Sequence, residues 1–222
     1  MPPKILVFAS GTAEGGGSGF ENLVRHSRDA DGDLKADIVG VVSNYEHGGV
    51  RLRADALNIP FVYFSGDFNE KLYQRIAQKS GAGWFALSGW LKKVEGLDSS
   101  RTFNIHPALL SALEGRFGGA GMYGERVHKA VKSALDMGEV NGSGVSMHFV
   151  TDEYDRGPVF FEFRVPLTPG MSAGGIQEKV NKAEHDWQPK ITNMVVHGEI
   201  SWDGKDPHSL KVPEGYRYMP KF

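Results

Sequence analysis

The chain has 222 residues, a hydrophobic fraction of 40%, a charged fraction of 23% and a net charge of −2, values that are ordinary for a globular protein. Lys and Arg are scattered, so bulk charge gives no indication of nucleic-acid binding, and the lack of cysteine excludes disulfides, a thiolate nucleophile and cysteine-based metal sites. No apolar stretch approaches the ~20 residues of a membrane span, and no signal-peptide pattern is present, so we expect a cytoplasmic protein with no membrane partner.

The N-terminal half alternates strand-like and helix-like segments. Strands are predicted at residues 4–9, 36–44, 59–64, 83–88 and 102–106, and helices near residue 20 and at 49–57 and 68–79. In the third helix, Leu72, Ile76 and Ala77 are predicted to face inward. This alternation predicts an α/β fold with a Rossmann-like, mostly parallel twisted sheet and helices on both faces. Ligands of such sheets bind at the carboxyl ends of the strands.

A glycine-rich segment, residues 10–19, lies between the first strand and the first helix. This arrangement can cradle an anion, typically a phosphate, between backbone N–H groups and a helix N-terminus. The segment is neither a GxGxxG nor a Walker A sequence, so a flexible connection without a ligand is an open alternative.

The C-terminal half combines a second glycine-rich segment with a predicted hairpin. Residues 115–124 are interpreted as a loop over the site, and strands are predicted at 144–150 and 159–165. The polar turn between these strands predicts that antiparallel strands join the sheet in this half. The remaining expectations are a helix at 125–137, a helix from the N-cap Ser172 to about His197 that Pro189 interrupts or kinks, and an aromatic tail from Ile200 that folds back as a short strand and strap.

Asn104 and His106 stand at the end of the fifth strand, two residues apart and therefore on one face, and Pro107 ends the strand. An amide and an imidazole can together stabilise a developing oxyanion. Asp155 in the hairpin turn is a candidate partner that would raise the pKa of His106 and keep it protonated at neutral pH. Asp155 is equally well explained as a turn residue, and Asp152 in the same turn is a competitor.

The other histidines carry weaker signals. His148 is either a core residue or a support for the Asn104–His106 pair, and support is favoured. The remaining histidines, at positions 26, 47, 128, 185, 197 and 208, are interpreted as surface residues. No nucleophile elbow and no HExxH motif is present, so no metal is expected.

Two motifs, residues 104–110 (NIHPALL) and 148–158 (HFVTDEYDRGP), resemble the glycinamide ribonucleotide formyltransferases within the wider formyltransferase-fold family. The likeness runs from about residue 4 to about residue 197. It implies transfer of a formyl group from the co-substrate 10-formyltetrahydrofolate to the amine of 5′-phosphoribosylglycinamide in purine synthesis. The alternatives are a relative that formylates an amino-sugar nucleotide and a nucleotide-binding module without catalysis.

The resemblance also implies roles for individual residues. It makes Asn104, His106 and Asp155 the catalytic set, and so favours Asp155 over Asp152. The implied substrate-binding residues are Gly17, Ser18, Gly19, Asn181 and Glu184. The implied folate-binding residues are Leu91, Lys92, Lys93, Val94, Asn104, Thr151, Asp152, Glu153, Tyr154 and Asp155. The sequence departs from the family pattern in a longer glycine-rich loop, in Gly19 where Asn is common, and in Lys92 where Arg is frequent.

We therefore expect one formyltransferase domain over residues 1–200, with a phosphate-binding half to about 103 and a catalytic and folate-binding half from about 104. Residues 201–222 are expected to pack on it as an extension. The expected partners are small molecules only, with no nucleic acid, and the protein is expected to be a monomer or a homodimer.

Overall fold

In the computed structural model, which describes residues 1–220, seven strands form one sheet in the order β3-β2-β1-β4-β5-β6-β7. The strands are β1 (Lys4–Phe8), β2 (Asp37–Ser43), β3 (Phe61–Tyr63), β4 (Trp84–Ser88), β5 (Thr102–His106), β6 (Gly142–Phe149) and β7 (Val159–Pro166). The helices are α1 (Ser18–Arg28), α2 (Gly49–Leu57), α3 (Glu70–Ser80), α4 (Glu125–Asp136) and α5 (Ala173–Val196). Residues 221 and 222 of the predicted tail lie outside the described residues.

The first five strands are parallel, and β6 and β7 join them antiparallel. The predicted mostly parallel sheet with antiparallel strands in the C-terminal half is therefore confirmed. The predicted bounds of α2 and β5 coincide with the observed ones, and the other predicted strands shift by one or two residues at their ends. None of the helices in the described part of the chain is long and apolar enough to cross a membrane.

The two faces of the sheet have different cores. One face packs aliphatic and aromatic side chains of α1, α4 and α5 against the strands. The other face holds an aromatic cluster of Phe8, Phe64, Tyr73 and Trp90. Tyr73 is the fully buried residue of α3, whereas the residues that we predicted to face inward are only partly buried. The amphipathic pattern of aliphatic side chains did not predict that the Tyr73 side chain is the buried one.

Helix α5 runs without a break through Pro189, so of the two expected effects, an interruption or a kink, the interruption does not occur. A proline inside a helix leaves the carbonyl four residues earlier without its N–H donor. Here that carbonyl belongs to His185, and it accepts a hydrogen bond of 2.8 Å from the Asn22 side-chain amide of α1. The neighbouring helix thus supplies the donor that Pro189 lacks.

The tail folds back against the sheet. Ser201 and Lys211 form an isolated antiparallel bridge, and the backbone N–H of Glu162 in β7 donates to the Tyr218 carbonyl at 2.7 Å. Trp202 is buried with its ring 5.7 Å from that of Phe149. The tail therefore covers part of the outer edge of β7.

Candidate active site

A cavity of about 670 Å³ opens at the carboxyl ends of β1, β4 and β5. The strand order reverses between β1 and β4, and this is the position at which open α/β sheets bind ligands. The walls come from the first glycine-rich loop, the turn after β4, the end of β5, residues 119–125, the hairpin turn and α5. The sheet topology thus brings together the segments that the sequence placed at strand ends.

The three predicted catalytic residues meet in this cavity. Nδ1 of His106 lies 3.6 Å from Oδ2 of Asp155, and the amide nitrogen of Asn104 lies 3.4 Å from Oδ1 of the same carboxylate. The N–H of Gly119, in the loop over the site, donates to Asp155 Oδ2 at 2.9 Å. Asp152 is exposed and lines neither this cavity nor the smaller one beside it, so Asp155 is the turn carboxylate that faces the histidine.

His148 supports this group from β6, as favoured from the sequence. Its Nδ1–H donates to the carbonyl of Phe149 at 2.8 Å, because a carbonyl can only accept. Its Nε2 lies 3.1 Å from the amide nitrogen of Asn104 and 3.3 Å from Oδ1 of Asp155. His148 is buried and thereby fixes the orientation of both neighbouring side chains.

The charge state of His106 differs from the expected one. Its side chain is 4% exposed, and this burial lowers the pKa of the imidazole more than Asp155 and the Phe117 carbonyl raise it. The expectation that Asp155 keeps His106 protonated at neutral pH is therefore wrong. The Nε2–H donates to Phe117 O at 2.7 Å, which leaves the Nδ1 lone pair facing Asp155.

Asp155 is ionised. Burial raises the pKa of its carboxyl, but its interactions with the protonated forms of His148 and His106 and with the Gly119 N–H together hold the pKa at about 2. At neutral pH the site thus contains a carboxylate beside a neutral imidazole, which is an arrangement suited to accepting a proton.

The glycine-rich loop ends at Gly17, which caps α1 in a left-handed conformation (φ 79°) without a side-chain acceptor. The first-turn N–H groups of α1 are therefore available to an anion. Gly17 lines the main cavity, and Gly17, Ser18 and Gly19 all line an adjoining pocket of about 120 Å³. A Cβ on Gly19 would lie 2.3 Å from Ser88 Oγ, so an asparagine does not fit here unless Ser88 moves.

Arg53 of α2 contacts the glycine-rich loop, and no sequence pattern predicted this contact. Its Nε donates to the Gly16 carbonyl at 3.0 Å, and its guanidinium forms an ion pair with Glu21 of α1. No sequence signal marks Arg53, because the docking of the loop on α2 depends on the close approach of Gly49 to Gly15.

Helix α5 contributes Asn181 and Glu184, which line both the main cavity and the adjoining pocket. Burial raises the pKa of Glu184 to about 7, although the Asn181 side chain lowers it in part. His185, expected on the surface, is half-buried, and its Nε2 lies 3.3 Å from Ser18 Oγ.

His128 also contradicts its surface prediction. It is 4% exposed and lines the cavity, and burial lowers the pKa of its imidazole to about 4. Among the described residues its Nδ1 has no hydrogen-bond partner. Its position on the inner side of α4, beside Val127 and Val131, is the pattern that could have revealed it.

The segments predicted to bind folate line the main cavity and a smaller one that shares Asn104, Tyr154 and Asp155 with it. Leu91 lines the main cavity, and the next three residues line a smaller cavity of about 50 Å³. The other predicted residues of that smaller cavity are Asn104, Thr151, Glu153, Tyr154 and Asp155. Trp90 lines both cavities, so its indole forms a wall common to them. In the described part of the chain, no group of three or more His, Asp or Glu side chains is arranged to hold a metal ion.

Residues 3–192 match the family model described as formyl transferase. The chain is 32% identical over 210 residues to a chloroplastic phosphoribosylglycinamide formyltransferase of Arabidopsis thaliana, covering 90% of this chain and 67% of that protein. It is 25% identical to the phosphoribosylglycinamide formyltransferase of Haemophilus influenzae, covering 89% of each. The chain spans about two thirds of the length of the plant relatives that it matches.

Solved structures show the same fold. A glycinamide ribonucleotide transformylase from Geobacillus kaustophilus superposes with a TM-score of 0.71 at 26% sequence identity, over 88% of this chain and 100% of that one.

Proposed function

We propose, because the chain belongs to the formyl transferase family, that it transfers a formyl group from 10-formyltetrahydrofolate to the amine of 5′-phosphoribosylglycinamide, a step of purine synthesis. The observation that carries the proposal is the single cavity that joins a phosphate-type loop to Asn104, His106 and Asp155. A non-catalytic nucleotide-binding module has no need of a carboxylate held ionised against a buried neutral imidazole.

The phosphate of the substrate is assigned to the N-terminus of α1. Gly17, Ser18 and Gly19 present backbone N–H groups there, and the helix dipole favours an anion at that end. Asn181 and Glu184 are assigned to the glycinamide part of the substrate, because they lie between this loop and the catalytic group in the cavity wall.

The folate is assigned to the smaller cavity and the adjoining wall of the main one, against residues 91–94, 151 and 153–155. The walls there suit a flat heteroaromatic ring, since Trp90 and Tyr154 offer aromatic surface and Asn104 offers an amide. Lys92, Lys93 and Glu153 stand at the outer rim. Asp152 lies further out in the same turn, so we assign it no direct role in the reaction.

The reaction begins when the amine nitrogen bonds to the formyl carbon and the carbonyl oxygen becomes an oxyanion. The proton that the amine loses passes through a water to the pair of Asp155 and the Nδ1 atom of His106, 3.6 Å apart. The positive charge of the resulting imidazolium and an N–H of the Asn104 amide stabilise the oxyanion, and a hydrogen-bond donor such as this amide contributes about 3–4 kcal/mol. The bond from the carbon to folate N10 then breaks, and the proton goes to N10.

The test is an assay of the purified protein with 10-formyltetrahydrofolate, followed by folate absorbance. One arm contains glycinamide ribonucleotide and a parallel arm contains an amino-sugar nucleotide. We expect turnover in the first arm alone. Turnover in the second arm alone, or in neither, would refute the proposed function.

A further inference from the structure

The segment after β4, residues 90–97, has an irregular backbone although it forms one wall of the proposed folate site. Within the described chain, two hydrogen bonds tie the backbone of this segment to other segments. The N–H of Leu91 donates to Ser10 Oγ at 3.0 Å, and the carbonyl of Lys93 accepts from the Tyr73 hydroxyl at 2.7 Å. An irregular segment with so few backbone bonds depends strongly on each of them.

Tyr73 is well suited to hold this segment. Its side chain is fully buried on α3, with its ring at 4.9 Å and 85° to Phe64 and at 5.8 Å to Phe8. Its hydroxyl accepts from Trp90 Nε1 at 2.9 Å while it donates to the Lys93 carbonyl. Burial raises the pKa of this hydroxyl above its ordinary value, so the group stays protonated and remains a donor.

One hydroxyl therefore connects two parts of the cavity walls. Trp90 lines both cavities, and Lys93 lines the smaller one, but Tyr73 lines neither. We propose that Tyr73 is a positioning residue, which fixes the Trp90 ring and the Lys93 backbone in the geometry that receives the folate. This inference rests on the proposed function, since it concerns the folate side of the same site.

The test is Tyr73→Phe, which removes the hydroxyl and retains the packing of the ring. Loss of the bond from Trp90 and of the bond to Lys93 should raise the KM for 10-formyltetrahydrofolate about 5–20-fold. The KM for glycinamide ribonucleotide and the kcat should stay within about twofold, because neither the phosphate loop nor Asp155 contacts Tyr73. Binding of 10-formyl-5,8-dideazafolate, measured by titration calorimetry, should weaken by the same factor without any turnover.

The matched control is Tyr216→Phe. The Tyr216 hydroxyl is buried in the tail, has no hydrogen-bond partner within residues 1–220 and lines neither cavity. This substitution removes the same atom from another tyrosine with a buried hydroxyl, so both KM values should remain those of the parent protein.

Unchanged folate affinity in Tyr73→Phe would overturn the inference, and so would equal increases in both KM values with a lower melting temperature, because that pattern means a general loss of structure. Failure of the parent protein to bind the folate analogue would instead refute the proposed function. The two failures are thus distinguishable.

Discussion

Asp155 is the residue on which the proposed chemistry depends most. It adopts a left-handed backbone conformation (φ 53°), which is uncommon for a residue other than glycine, and this turn directs the carboxylate at His106, His148 and Asn104. The polar contacts that hold its pKa at about 2 keep it ionised across the physiological range. The carboxylate can therefore accept a proton, and an amide at this position cannot.

Asp155→Asn should lower kcat about 10²–10⁴-fold, which is the usual contribution of a positioned acid or base. The dissociation constant of glycinamide ribonucleotide, measured by calorimetry, should change little, because the phosphate is assigned to the α1 N-terminus. The control is Asp152→Asn, an exposed carboxylate in the same turn, which should retain near-normal turnover. Near-normal turnover of Asp155→Asn would show that the carboxylate is dispensable.

Glu184 makes stability depend on pH. Its pKa of about 7 in the folded protein exceeds the value of 4.5 for an ordinary carboxyl, so the folded state binds the proton more tightly than the unfolded state does. The resulting stabilisation is complete below pH 4.5 and is lost as the pH rises through 7. We expect the free energy of unfolding of the parent protein to fall by about 2 kcal/mol relative to Glu184→Gln between pH 5 and pH 8. Urea unfolding at both pH values tests this, and a constant difference would contradict it.

At the scale of elements, sequence patterns predicted the helix and strand bounds that depend on local chemistry. The predicted bounds of α2 and β5 are correct, and Pro107 explains why β5 ends at His106. The order of elements sufficed to place Asn104 and His106 at a ligand-binding edge. The contact of Arg53 with Gly16 could not be predicted, because it arises from packing between elements distant in sequence. The burial of His128 could have been predicted, because it shares the apolar face of α4 with Val127 and Val131.

The contact between α1 and α5 gives a prediction at this scale. The Asn22 amide donates to the His185 carbonyl that Pro189 leaves without a helical donor. Asn22→Ala should therefore lower the free energy of unfolding by about 1–3 kcal/mol, the cost of an unsatisfied buried carbonyl. In a Pro189→Ala background the helix supplies its own N–H, so the same substitution should cost less. A double-mutant cycle measured by urea unfolding gives the coupling, and additive effects would show that the two residues act independently.

At the scale of the whole molecule, the catalytic residues meet where the parallel half of the sheet joins the antiparallel half. β5 is the last parallel strand, and β6 pairs with it antiparallel, so the hairpin turn before β7 returns to the carboxyl end of β5. This geometry brings Asp155 to His106 across about fifty residues of sequence. The mixed topology is thus a requirement of the site. The alternation of elements predicted its parallel half, and the polar turn between the two C-terminal strands predicted its antiparallel half.

Removal of the tail tests whether residues 1–200 fold stably on their own. Its Trp202 is buried, and Tyr218 accepts the β7 hydrogen bond while its ring packs 4.8 Å from Trp187 and 5.5 Å from Phe161. Ending the chain at Ile200 removes these contacts and opens an edge strand, which favours aggregation. Burial of a single tryptophan is worth about 3–5 kcal/mol, so the shortened chain should melt well below the parent protein and should aggregate in size-exclusion chromatography.

Trp202→Ala separates the two effects of this truncation, because it removes the largest buried side chain of the tail and keeps the backbone along β7. It should lower the melting temperature but leave a monodisperse protein, since the edge stays covered by Tyr218. The catalytic residues lie on the other face of β5 and β6 from the Trp202 contact with Phe149, because Phe149 is adjacent to His148 and alternate residues of a strand point to opposite faces. The kcat of Trp202→Ala at 15 °C should therefore remain close to the parent value. A chain ending at Ile200 with parent-like stability would show that the domain is complete without its tail.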